Sequence, residues 1–371
     1  MAEVVPQHAA PAPGSDRERE RVSDAAPTRS SRWLFVTLLL MVALIVVTAI
    51  SLGVGAVPIA PGTILASLVH PQALSATDRT ILFQVRLPRV LASGMVGAGL
   101  AVAGLLFQGL FRNPMADPYV IGSSGGAVFG AAIGIFFLSQ VSWLGFSVTA
   151  LLAFAGSVTT MAVVYWLARA GRGASSGTNV VTLLLAGFAV STMLSSSTYF
   201  FALLPGRGAS GSQVLIAWLH GSIGIPTWME LGVSAALLGL GGIACLPLMR
   251  QLNTLALGDE YAQQLGLRVE ATRVAIILVG SLLTATTVAL GGLIGFAGLV
   301  VPHFARLLLG PEHRRLLPVT ALGGAIFLML ADTLARSVIA PAEIPVGILM
   351  ALLGGPFFLY LLRRTRRGYA V

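Results

Sequence analysis

The chain has 371 residues, of which 56% are hydrophobic and only 10% charged, with a mean hydropathy of +0.87. Soluble domains of this length are not so apolar, so the sequence describes a polytopic membrane protein. All 23 basic residues are arginine. The missing lysine excludes a Walker A phosphate loop and Schiff-base chemistry, so any ATP that drives this chain is bound by another subunit. The net charge of +9 does not indicate nucleic acid, because the arginines sit between apolar runs as topology signals. Cys245 is the one cysteine and lies in an apolar run, which excludes an internal disulfide or a thiolate cluster and leaves a packing role.

In chain order, residues 1–32 read as a disordered tail rich in Ala, Pro, Ser, Arg and Glu. The apolar run 33–57 is far longer than a signal-peptide core and reads as the first span. Further spans are predicted at 90–111, 118–138, 144–168, 180–204, 229–249, 273–294, 297–309, 316–340 and 345–362, about ten in all. The second is seeded with Gly94, Gly97, Gly99, Gly104 and Gly109, which suits close helix contact in lipid. With alternating spans and a cytoplasmic N-terminus, eighteen arginines fall inside. Five, Arg79, Arg86, Arg89, Arg207 and Arg336, fall outside, so both termini are expected in the cytoplasm. Residues 33–363 are then the membrane domain and 364–371 a basic tail.

Several residues stand out against this background. Arg86, Arg89 and Arg336 defy the inside bias. They either snorkel and pair locally or form a docking patch for an acidic partner, since guanidinium pairs bidentately with carboxylate. Asp332 and Arg336 stand i, i+4 on one helix and are expected to form a structural ion pair, with a proton relay as the competing reading. Glu343 falls in a proline-broken outer corner. Between spans six and seven, Leu257, Tyr261 and Leu265 give an apolar stripe on a short helix. Gly258 serves as its cap, and Asp259 and Glu260 lie in its first turn. Such a helix could lie on the membrane or face a partner. Residues 122–126 fit the G-x-S-x-G pattern, which would nominate Ser124 with His220 or His303 as an intramembrane protease. The pattern needs a preceding strand and a positioned base, and helix packing accounts for it better.

Four segments together carry a family resemblance. They are Arg86-Leu-Pro-Arg89 with its glycine-rich helix, Asn113-Pro-Met-Ala-Asp-Pro118, Leu257-Gly-Asp-Glu260 to Gly266, and Gly295 to His303 with Glu343-Ile-Pro-Val-Gly347. In this order they resemble the FecCD-type permeases of bacterial ABC importers for iron chelates, haem or vitamin B12.

The resemblance implies an all-α type II importer fold, with spans two to five and seven to ten as two inverted four-helix units. It implies that Arg86, Arg89 and Arg336 receive glutamates from a periplasmic binding protein. It makes residues 255–266, with Leu257, Gly258, Asp259, Glu260, Ala262, Leu265 and Gly266, the coupling helix seated in an ATPase. Spans five, eight and ten would line the pathway. The inner gate would lie at Asn113 and Pro114 and at Ser176, Gly177 and Thr178. The implied partners are two ATPase copies, a binding protein and a second permease copy, with no resident cofactor or metal. The expected cargo is a ferric siderophore first, then haem or cobalamin. The rival from another class is an ion-gradient transporter. It would show an ionisable residue facing a midplane site, and spans 33–57, 118–138, 144–168, 180–204 and 273–294 offer none.

Overall fold

The computed structural model describes residues 29–366 apart from 56, 58, 61, 65–73, 120, 139–140, 144–145, 171–179 and 204–207. A long apolar helix, α1 (Arg29–Gly53), comes first. A short α2 (Ala76–Thr80) runs through a π-helical turn, Ile81–Arg86, into α3 (Leu87–Leu110). Then follow α4 (Ser123–Phe137), a hairpin of two two-residue strands, β1 (Ser142–Trp143) and β2 (Phe146–Ser147), α5 (Val148–Ala170) and α6 (Val180–Ala202). The hairpin pairs Ser142 with Ser147 and Trp143 with Phe146. An outer helix, α7 (Gly208–Leu219), precedes α8 (Trp228–Leu255), whose start carries a Thr227–Glu230 capping box. The short α9 (Asp259–Gln264) leads to α10 (Val269–Gly291), α11 (Ala297–Leu309), α12 (His313–Ala335) and α13 (Val346–Arg366).

Seven of these helical runs are long and apolar enough to cross a bilayer, and α4, α11 and most of α13 are shorter apolar helices, which matches the ten spans expected. Helix lengths repeat. From α3 to α6 they are 24, 15, 23 and 23 residues, and from α10 to α13 they are 23, 13, 23 and 21. Each short helix starts at a left-handed residue, Gly122 (φ 94°) or Phe296 (φ 67°). Equivalent helices of the two series are five spans apart, an odd number, so they run in opposite senses through the membrane, as in other inverted-repeat transporters.

The short helices have a physical cause. Backbone that leaves the helix within lipid must be satisfied inside the protein. The stretches before α4 and α11 satisfy one another: the Tyr119 hydroxyl donates to the Ile294 carbonyl and accepts from the Ile294 N–H, both at 3.3 Å. The Asp117 carboxylate accepts the Tyr119 N–H at 2.9 Å.

α3 is the central helix, buried along most of its length. Its glycines set the crossings: a Cβ on Gly104 would lie 1.8 Å from the Gly298 carbonyl oxygen, and one on Gly97 2.1 Å from that of Gly324. Any side chain there would separate α3 from α11 and α12. Buried Gln108 adds a polar tie, donating to the carbonyls of Gly298 (3.1 Å) and Leu299 (3.3 Å) while accepting from Arg306.

Boundaries differ from the sequence reading in physically sensible ways. The second span is one helical run from Ala76, longer than 90–111, because the π turn lets the helix continue through Arg86 and Pro88 sits in the first turn of α3. The third begins at Ser123 rather than 118, since Pro118 and the left-handed Gly122 precede it. Residues 29–32, assigned to the tail, are helical, and α13 continues to Arg366. The remainder of both tails lies outside the described residues.

Candidate functional site

At the inner end, α9 is presented by two glycines. Gly258 is its N-cap at φ 113°, ψ 152°, a conformation open to glycine alone. Gly266, at φ 82°, closes it, with the Leu267 N–H returning to the Ala262 carbonyl at 2.9 Å. Ala262 is fully buried in the main core cluster and anchors the helix. The predicted stripe faces outward: Leu257, Tyr261 and Leu265 are 63%, 65% and 68% exposed. Three large apolar side chains exposed on one helix face mark a surface for another protein or for the membrane.

Asp259 joins this helix to the transmembrane body. Its carboxylate takes Arg112 at 2.6 Å on one oxygen and Arg273 of α10 on the other. Arg112 is left-handed (φ 49°) and turns the chain sharply beyond α3, so that the Asn113 N–H reaches back to the Gln108 carbonyl at 3.1 Å. The exposed Asn113 and Pro114 follow directly. The segments expected to couple and to gate, α9 and Asn113-Pro114, are therefore one connected unit, a link that residue spacing did not reveal. The other segment expected in the gate, Ser176, Gly177 and Thr178, lies outside the described residues.

At the outer end the three arginines are buried, at 4% (Arg86), 8% (Arg89) and 7% (Arg336) exposure. Arg86 donates to the carbonyls of Leu52 (2.7 Å), Gly53 (3.0 Å) and Val57, capping the end of α1. Arg89 grips Asp332, at 3.0 Å from Nη2, and Glu343, at 2.8 Å from Nη1. Arg336 donates to the Ser51 carbonyl and stands 3.8 Å from Asp332. The expected Asp332–Arg336 pair is present, but the tighter partner of Asp332 is Arg89, from a helix 243 residues away in sequence. The local pairing expected as one reading of these arginines is present: helix-end carbonyls engage Arg86 and Arg336, and the carboxylates of Asp332 and Glu343 engage Arg89. On Arg89 both carboxylate positions are already filled from within the chain.

The protease reading finds no geometry. Ser124 lies in the first turn of α4, a membrane helix, not after a strand. The His220 ring is engaged with the Ile216 carbonyl at 2.7 Å, and His303 meets Phe357 edge-on at 6.0 Å.

The profile of the FecCD transport family matches residues 43–364. The chain belongs to the FecCD family. Among its relatives, the hemin transport system permease HmuU of Yersinia pestis is 42% identical over 297 residues, covering 77% of this chain and 84% of that protein. The Fe(3+)-citrate import permease YfmE of Bacillus subtilis is 39% identical over 343 residues, 91% of this chain and 98% of that protein. A solved inward-facing structure of a metal-chelate type ABC transporter superposes with a TM-score of 0.76 at 32% identity, over 89% of this chain and 99% of that one. As a FecCD protein the chain is a multi-pass transport permease and not an enzyme, with the helical fold of type II importers.

Proposed function

We propose that this FecCD permease is the membrane subunit of an ATP-driven importer that carries a ferric siderophore, or failing that haem or cobalamin, into the cytoplasm. Two copies enclose the pathway, two ATPase subunits bind α9 of each from below, and a binding protein delivers cargo from the periplasm. Both termini are cytoplasmic. The observation that carries the reading is the exposed stripe on α9, joined through Asp259 and Arg112 to Asn113 and Pro114. An ATPase that grips Leu257, Tyr261 and Leu265 and moves with nucleotide pulls on Asp259, and so on the turn at the inner mouth of the pathway. The gate opens as Arg112 shifts, with no covalent chemistry in this chain. The iron cargo is supported by relatives named for hemin and ferric citrate.

The outer corner serves the binding protein by exchange: an incoming glutamate replaces Glu343 on Arg89. Ser176, Gly177 and Thr178 are assigned to the inner gate together with Asn113 and Pro114.

The test is Tyr261→Glu in the assembled transporter, reconstituted in vesicles with its ATPase and binding protein and loaded with a ferric hydroxamate. A charge in the stripe should abolish ATPase capture and reduce ATP-dependent uptake by at least about tenfold, about 1.4 kcal/mol of lost contact. The thermal midpoint of the permease should not change. Full uptake with the variant overturns the assignment of α9.

A further inference from the structure

A second feature, remote from α9, has the build of a ligand site. Between α1, α3, α8 and α12 lies a cavity of about 1370 Å³, larger than the ~300–1,000 Å³ of ordinary small-molecule pockets. Its two ends differ in chemistry. The deep end is apolar and small, lined by Met95, Gly99, Leu238, Gly239 and Gly242. Neither Gly239 nor Gly242 would bring a Cβ within 4 Å of another atom, so the groove is open along this face of α8. The other end holds Arg250 near the end of α8 and Arg314 and Arg315 in the first turn of α12.

This mouth lies at the inner interface, where α8 gives way to the cytoplasmic α9. Trp33 marks the same depth, its indole N–H donating to the Arg315 carbonyl at 3.0 Å, a placement typical of the headgroup zone. From Arg250 to Ala235 the groove runs fifteen residues along α8, about 22 Å of helix. That is somewhat more than the ~15 Å depth of one leaflet's hydrocarbon.

The charge at the mouth is not balanced. Glu312 neutralises Arg315 at 2.8 Å. Among the described residues Arg250 and Arg314 have no acidic partner, and both are exposed. Beside the groove, Leu240, Ile243 and Leu246 of α8 are exposed, as on a face that meets lipid. A greasy slot long enough to span one leaflet's hydrocarbon, ending in two guanidinium groups without acidic partners among the described residues, is complementary to one class of molecule.

We infer that this groove binds an anionic phospholipid of the inner leaflet, its acyl chains against Gly239 and Gly242 and its phosphate between Arg250 and Arg314. Basic pockets between membrane helices on the cytoplasmic side hold anionic headgroups by the same logic. The bound lipid fills the space between α1, α8 and α12 and so supports their packing.

The full-length permease, purified in mild detergent, is to be titrated with dioleoyl phosphatidylglycerol and separately with dioleoyl phosphatidylcholine, and retained lipid counted by native mass spectrometry. The expected result is one tightly held phosphatidylglycerol per chain, favoured over phosphatidylcholine by about 30-fold, the sum of two arginines near an anionic headgroup. Arg250→Gln with Arg314→Gln should erase that preference. Gly242→Trp should expel both lipids while the arginines remain, and lipid-free thermal midpoints close to that of the parent would show that the variants fold. Equal retention of the two lipids, or retention untouched by either change, overturns the inference and makes the lipid a general annulus. Gly242→Trp that breaks a permease dimer without altering lipid retention also overturns it, and assigns the groove to the second copy.

Discussion

The outer corner and the inner face of this permease use the same residue types in opposite ways. Outside, Arg86, Arg89 and Arg336 are buried and matched to Asp332, Glu343 and the end carbonyls of α1. Inside, Leu257, Tyr261 and Leu265 are bare, and Arg250 and Arg314 lack acidic partners among the described residues. The outer corner closes on itself and fixes α1, α3 and α12 together. The inner face is unfinished, with its apolar and cationic groups left for other molecules. The first arrangement braces helices against one another, the second is where the proposed function lies, and mutation tests whether the two separate.

The largest effect is expected at Asp332, which is 1% exposed between two guanidinium groups. Asp332→Asn leaves Arg89 and Arg336 buried with one half-exposed acid, and breaking a buried pair of this kind costs about 3–5 kcal/mol. Unfolding of the purified permease in detergent, followed against denaturant, should show that loss, whereas Tyr261→Glu should leave the curve in place. If Asp332→Asn unfolds with the parent, the corner is no brace and the contrast between the two faces fails.

A smaller effect is expected at Asp259. Its ion pairs with Arg112 and Arg273 are partly exposed, so Asp259→Asn should change stability by less than about 1 kcal/mol. Its consequence should lie in transmission. In the reconstituted transporter, ATP hydrolysis should continue while uptake per ATP falls several-fold, because the gate turn at Arg112 no longer follows α9. Hydrolysis and uptake that fall together would place Asp259 in ATPase binding instead, and unchanged uptake would remove it from the mechanism.

How far these features could be read from sequence depends on the range of the interaction. Periodicity over eight residues was enough for the α9 stripe, and runs of twenty apolar residues were enough for the ten spans. Gly258 was legible as a cap because glycine there answers a local backbone need. Asp332–Arg336 was legible because both sit on one helix, but the stronger Arg89–Asp332 contact joins helices far apart in sequence and leaves no local mark. The same holds for Arg112–Asp259, for Gln108 with Gly298, and for the pairing of Tyr119 with Ile294 that shortens α4 and α11. The π turn at Ile81–Arg86 and the outer helix α7 were not anticipated, since neither has a compositional signature. Burial of the outer arginines was not legible for a related reason. Charge bias assigns a side of the membrane but is silent on whether the side chain points to water.

The smallest effect is expected at Glu343, and it decides what the outer corner does. Its side chain is half exposed and holds Arg89 Nη1 at 2.8 Å, so it is the one internal acid that an external carboxylate can replace. Glu343→Gln should cost less than about 1 kcal/mol of stability, since Asp332 keeps its own hold on Arg89 through Nε and Nη2. If the binding protein docks by exchange at Arg89, loss of the competitor should tighten capture by about fivefold, the equivalent of roughly 1 kcal/mol. A surface-plasmon measurement with the binding protein in solution and the permease in nanodiscs would show it as a slower off-rate at low salt. Unchanged or weaker capture would mean that Arg89 is bracing only, and that the partner's acid lands on a different part of the outer rim. Asp332→Asn cannot serve in place of this variant, because it disturbs bracing and docking together. Glu343 is the residue at which the two roles come apart.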